Sequence, residues 1–168
     1  MVMRKPAVIF LVLVLGLMQV ACGFQLRGEA RLPAAMDRTW LDVSDDSSTF
    51  VRELSRLLQG SGVELVDQPD RQAATLQIFS ERMRREPLTI TGQARVREFL
   101  LMFDVEFELR DGEGNVLVER ERLQLTRDFS FDEQEILAAQ REQEFLETEL
   151  RRDMTARLLR RLEAGAGT

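Results

Sequence analysis

Histidine and tyrosine are absent from this sequence, and cysteine occurs once, as Cys22. Each absence removes a class of chemistry. One thiol and no imidazole cannot supply the ligand set of a zinc site. A Ser-His-Asp or Cys-His relay lacks its base, and no disulfide can close within the chain. There is no Gly-rich phosphate loop. Asp111-Gly112-Glu113-Gly114-Asn115 lacks the downstream bidentate Glu of an EF-hand. Acidic residues are plentiful but form no recognisable pair of the kind a glycosidase places across a cleft. The sequence therefore reads as a non-enzymatic protein that calls for no metal and no cofactor. Acids outnumber bases 29 to 23, a net charge of −6, which repels polyphosphate and leaves no overall footprint for nucleic acid. The bases are nearly all arginine, suited to bidentate carboxylate or phosphate contacts.

What is present begins with an address. Arg4 and Lys5 precede the uncharged run AVIFLVLVLGLMQVA, Ala7 to Ala21. As a helix those residues span roughly 22 Å, short of the ~30 Å hydrocarbon core. A charged start, a short apolar run and a small residue at its end describe a secretory signal over residues 1–21. Its removal leaves 21 basic against 29 acidic residues, a net of −8. Ala21-Cys22-Gly23 then resembles the lipobox of bacterial lipoproteins, with Gln19 where that motif usually has Leu. The resemblance implies diacylation of Cys22 (diacylglycerol, with a further acyl chain such as palmitate on the new amine) and a stable membrane tether, since two or more acyl chains hold where one does not. Gly23 is not the Asp that retains lipoproteins at the inner membrane, so the outer membrane is expected.

Residues 22–168 read as one domain with a strand-helix-strand-strand-strand-helix order. Thr39 to Val43 is the first strand. Asp45, Asp46, Ser47 and Ser48 offer N-caps for a helix with Phe50, Val51, Leu54, Leu57 and Leu58 at helical spacing, stopped by Gly60 and Gly62. Val63 to Val66 leads toward a second strand at Ala74 to Phe79. Arg95 to Arg110 alternates apolar and acidic residues with period two. Residues 111–115 form a hairpin loop, and Val116 to Phe129 returns with a bulge near Glu119 to Arg122. Asp132 and Glu135 open a long helix to about Glu163, with Ile136, Ala139, Leu146, Leu150, Met154, Leu158 and Leu162 as its buried stripe. The expected fold is α+β: two helices packed on one face of a mostly antiparallel four-stranded sheet, a two-layer sandwich.

Two features go beyond fold. A two-layer sheet is apolar on its helix side and polar on the other, yet Val96, Leu100 and Met102 make the long strand apolar on its second face too. A partner, an acyl chain or a loop of the same chain is expected to cover it. Arginines also gather at strand ends: Arg82, Arg84 and Arg85 before a turn at Pro87 to Gly92, and Arg95 and Arg97 after it. A hairpin would bring both groups to one tip, where they either hold a phosphate-bearing ligand or pair with nearby carboxylates.

The stretch Ala21-Cys22-Gly23-Phe24-Gln25-Leu26-Arg27-Gly28 resembles the mature start of the LPS-assembly lipoprotein family LptE, also called RlpB: Cys-Gly, an aromatic, a polar residue, then Leu-Arg. Gly62-Val63-Glu64-Leu65-Val66, Gly92-Gln93, and Phe131-Asp132 leading to Leu137-Ala138 continue the similarity in order. The sequence departs from relatives in lacking Tyr. The resemblance implies an outer-membrane lipoprotein, anchored on the periplasmic side, that plugs and helps assemble the β-barrel LptD and binds lipopolysaccharide on its way to the cell surface. Arg82, Arg84, Arg85, Arg95 and Arg97, with Arg127 on the next strand, are then the candidate ligand residues, and Val96, Leu100 and Met102 the candidate partner or lipid contacts. The alternative is a lipoprotein scaffold of a different envelope-assembly machine.

Overall fold

The structure is a computed structural model that describes residues 32–90, 96–131 and 134–165. The chain enters through a 3-10 turn, Ala34–Met36, and strand β1, Arg38–Val43. Helix α1 follows at Thr49–Gly60, then strands β2 (Glu64–Val66), β3 (Ala74–Ile90), β4 (Val96–Arg110) and β5 (Val116–Ser130), and helix α2 at Ile136–Gly165. Among the described residues no helix is long and apolar enough to cross a membrane.

The five strands form one sheet in the order β2-β1-β3-β4-β5. β2 and β3 each pair parallel to β1, while β3, β4 and β5 are antiparallel. This corrects the expected four-stranded, mostly antiparallel sheet to a five-stranded mixed one. β2 has three residues, too few to show a period, and its pairing depends on α1 carrying the chain back across the sheet. The α+β class with two helices on one face stands.

Ser48 is the residue that caps α1. Its Oγ accepts from the backbone N–H of Phe50 (3.1 Å) and Val51 (3.3 Å) and donates to Glu81 on β3 (2.5 Å), so the cap also ties the helix to the sheet. Asp45 instead orders the preceding loop by accepting from the N–H and Oγ of Ser47. At the other end Val63 N–H reaches back to Leu58 O, and Gly62 takes φ +91°, a conformation other residues resist. Leu57, expected on the buried stripe, lies at its rim, 38% exposed.

The core lies between the helices and one sheet face. Leu101, Phe103, Val105, Phe107 and Leu109 of β4 are fully buried. They meet Phe50, Leu54 and Leu58 of α1 and Leu150, Met154, Leu158 and Leu162 of α2 in a single cluster. Phe50 and Phe103 contact edge to face, with ring centroids 5.5 Å apart. Met36 is buried too, and its carbonyl accepts from the Thr39 hydroxyl at 2.8 Å. Ile136, expected in the α2 stripe, is half exposed because the helix begins there, before it reaches the sheet's centre. Asp132 lies outside the described residues.

The three long strands depart from regular pairing at several points, two of which bear on the site. On β3 the register shifts between Ile78 and Ser80. On β5 Val118 and Glu121 are three positions apart while their partners Leu109 and Phe107 are two apart, so a bulge falls where the alternation fails, near Glu119 to Arg122.

The turn expected at Pro87 to Gly92 is strand over Pro87 to Ile90, while Thr91 and Gly92 lie outside the described residues. β3 continues through Pro87, which registers with Phe99, to Ile90, which registers with Val96. Proline is tolerated because, among the described residues, no strand pairs with β3 on its β1 side beyond Ile78, so no ladder bond is lost there.

Candidate functional site: the open sheet face and its arginines

Both helices pack on one face, so the other face of β3, β4 and β5 is the surface that the fold leaves open. The bulge at Phe79 decides what stands on it. Leu76 and Ile78 point to the helix side, as their partners Leu109 and Phe107 do. Past the bulge the parity inverts: Glu81, Met83 and Arg85 register with Val105, Phe103 and Leu101 on the helix side. Arg82 and Arg84 therefore fall on the open face, opposite Asp104 and Met102.

The open face has a charged half and an apolar island. Asp104, Glu106 and Glu108 run down β4 at every second residue. Asp104 is only 3% exposed. Its carboxylate accepts from Arg84 (2.5 Å) and from Gln124 (2.8 Å), which supplies the partners a buried charge requires. Arg110 donates to Glu108 at 2.5 Å. Arg120 donates to Glu106 at 2.8 Å and its guanidinium lies 3.9 Å from the Phe79 ring centroid. Toward the hairpin end, Leu100 and Met102 are half-buried; Leu100 registers with Glu86 and Asp128, Met102 with Arg84 and Thr126. The doubly apolar stretch is thus real, and on the open face polar and charged neighbours border it.

The hydrogen bond from Arg120, helped by the charges of Arg122 and Arg82, holds the Glu106 carboxyl below its ordinary value of 4.5. A lowered folded-state pKa contributes stability that is complete above the unfolded value and disappears as pH falls through the folded one. Glu106→Gln therefore flattens the acid side of the stability curve below about pH 4.5 and leaves its slope unchanged above about pH 6. Urea midpoints measured at steps across that range check it.

Of the candidate arginines whose side chains are described, Arg82 and Arg84 stand on one sheet face and Arg85 and Arg127 on the other. Because β3 runs on to Ile90, Arg85 sits opposite Leu101, four positions along β4 from Arg97. Arg85 and Arg127 flank Leu101 from either side on the helix face. Arg85 donates to Gln143 of α2 at 2.9 Å and lies 4.4 Å over the Phe99 ring, which itself contacts Phe129 and Phe131. Arg127 pairs with Asp153 of α2 at 2.6 Å. These two arginines fasten α2 to the sheet. Arg82 and Arg84 stand on the opposite face. Arg95 lies outside the described residues, as do the side chains of Val96 and Arg97, and so does Cys22. The carboxylate column and its partners Arg110, Arg120, Arg122 and Gln124 were not singled out from sequence, although the acidic alternation of β4 carried the signal.

Comparison with known proteins places this arrangement. The LptE lipopolysaccharide-assembly family matches residues 33–162. The chain is 28% identical to the LPS-assembly lipoprotein LptE of Pectobacterium atrosepticum over 155 residues, covering 89% of this chain and 83% of that one. It is 25% identical to the LPS-assembly lipoprotein LptE of Photorhabdus laumondii, also over 155 residues, covering 90% and 84%. Among solved structures it resembles lipoprotein B of Nitrosomonas europaea, with a TM-score of 0.71 and 27% identity over 84% of this chain and 91% of that one. A match that takes in the sheet, both helices and most of the folded residues settles the assignment: the chain belongs to the LptE family of lipopolysaccharide-assembly lipoproteins.

Proposed function

We propose that this chain is a non-enzymatic outer-membrane lipoprotein, cut from a leader at residues 1–21 and acylated at Cys22, whose single domain plugs and helps assemble an LptD-type β-barrel and binds lipopolysaccharide during its delivery to the cell surface. The observation that carries the reading is family membership across residues 33–162, nearly the whole folded unit. The open face supports the ligand part. It sets Met102 opposite Arg84, whose guanidinium pairs with Asp104, and Leu100 next along the same strand face, and an amphiphile that joins acyl chains to phosphates needs both chemistries close together. Arg82 on that face extends the basic side, and Arg95 and Arg97 are proposed ligand residues from their place in the sequence. Arg85 and Arg127, held by Gln143 and Asp153, contribute by fixing α2 in place.

The test is purification of the acylated protein from envelopes in mild detergent. A β-barrel and lipopolysaccharide co-purify with it; a clean monomer in repeated preparations refutes the reading. Ligand binding has its own test. Arg95→Glu with Arg97→Glu weakens lipopolysaccharide binding about tenfold or more at moderate salt. Circular dichroism of the double variant stays that of the parent chain. Unchanged binding means that these arginines are merely solvated.

A further inference from the structure

Helix α2 carries apolar residues on two sides. Its inner side is in the core. On its outer side Leu137 is 71% exposed and Phe145 is 63% exposed. With Arg141 they recur at i, i+4 and i+8, one stripe about 12 Å long. The stripe then ends: Thr148 and Arg152 continue the same line with polar groups. It occupies the first three turns, where Ala139 is the one buried residue before Leu150. At the helix start Gln134, Glu135, Ile136, Leu137, Ala138 and Arg141 line a groove of about 480 Å³. Among the described residues, half of the large apolar side chains that stay exposed lie in this short segment, and Leu88, near the end of β3, projects at the same end of the molecule. Such a concentration marks a contact surface.

The rim of the stripe says what it contacts. Glu144 borders it on one side and Glu142 on the other, Glu135 precedes it, and all three are exposed. That rim repels anionic lipid headgroups. It also disfavours a second copy of this chain, because the same acids would face each other. We infer that the outer stripe of α2, from Leu137 to Phe145, is the face by which this chain docks on its protein partner, and that the partner's contacting surface presents aliphatic or aromatic side chains ringed by lysine or arginine. Arg141 at the centre adds a methylene stem and one donor fork, which selects an acceptor on the partner opposite it. The inference rests on the barrel-partner reading above and assigns this contact to the helix layer.

Photo-cross-linking residues placed singly at Leu137 and Phe145 of the full-length acylated chain test it in the envelope, against Arg122 and Thr126 on the open face as comparison positions. The helix positions cross-link to the barrel, and the cross-linked barrel peptides contain apolar residues near lysine or arginine. Leu137→Glu with Phe145→Glu lowers the co-purified barrel about tenfold while the thermal unfolding of the variant matches the parent, since neither side chain is in the core. Barrel cross-links from Arg122 and Thr126 with none from the helix overturn the inference and leave the barrel reading intact. Cross-links to the barrel from no position, together with no co-purified barrel, overturn both. Unchanged co-purification of the double variant, or a contact surface on the barrel lined by acids, also overturns the inference.

Discussion

Phe103→Ala lowers the unfolding free energy of the mature domain by about 3–5 kcal/mol. Phe103 sits at the middle of β4 with no exposed surface. Its ring is in edge contact with Phe50 of α1, and Met83 and Leu125 stand beside it on the neighbouring strands. Removing the ring opens a cavity where sheet and helix meet, and the surrounding strands cannot collapse into it without breaking the ladder. A domain of this size has roughly 5–15 kcal/mol of stability in all, so the variant is marginal and its urea midpoint falls steeply. Met102→Ala, one residue away on the open face, costs about 1 kcal/mol, because that side chain is already half in water. Equal losses at the two positions would mean that the open face is covered as the helix face is.

That contrast between neighbouring residues shows what the sequence made legible. The β4 core was visible because every second residue from Phe99 to Leu109 is apolar, and from Phe103 onward acids fill the positions between. α1 was visible from its stripe and its cap. β3 was not visible past Phe79, because Glu81-Arg82-Met83-Arg84-Arg85-Glu86 has no apolar period of its own. That segment is a strand because β4 pairs with it at every position from Glu81 to Pro87, and a long-range pairing leaves no local mark. β2 was hidden by its length.

The arginines illustrate a sharper limit. Their spacing suggested one cluster, since five of them lie on the two arms of a hairpin. Which face Arg82, Arg84 and Arg85 occupy depends on a single extra residue at Phe79. Without that bulge, Arg82 and Arg84 would continue the parity of Leu76 and Ile78 and point into the core side, and Arg85 would stand on the open face. The bulge instead puts Arg84 against Asp104 and Arg85 against Gln143. Burying two guanidiniums in an apolar core is prohibitively costly, so the charges of β3 and its bulge are one requirement expressed twice. Composition reveals the charges and conceals the bulge.

Gly112→Ala is expected to lower Tm by roughly 5–10 °C, from an overpacking cost of about 1–3 kcal/mol or somewhat more. Gly112 lies in the β4–β5 turn, whose backbone is held rigidly. Asp111 accepts from the N–H of Glu113 (2.9 Å) and Asn115 (2.8 Å) and from the Asn115 amide (2.9 Å), and these bonds keep its carboxyl below the usual carboxylate range. A Cβ on Gly112 would stand 2.0 Å from the carbonyl oxygen of Arg71 and 2.6 Å from its carbon. Both sides of that contact are backbone. The facing loop is itself tied down, since Asp70 accepts from Gln72 N–H (3.2 Å) and from Arg38 of β1 (3.0 Å), and Ala73 N–H donates to Asp70 O (3.0 Å). Neither segment can yield without giving up those bonds, and the loop leads directly into β3. Gly114→Ala in the same turn acts through a different cause: its Cβ meets nothing within 4 Å, but φ is +91°, so it costs about 1–2 kcal/mol of backbone strain. Truncating the Arg71 side chain separates the two mechanisms. Arg71→Gly leaves the carbonyl in place and gives no rescue of Gly112→Ala. A Gly112→Ala protein that unfolds at the parent temperature would show that the turn and the loop do not touch, and with that the placement of the β4–β5 hairpin against the start of β3 would fail.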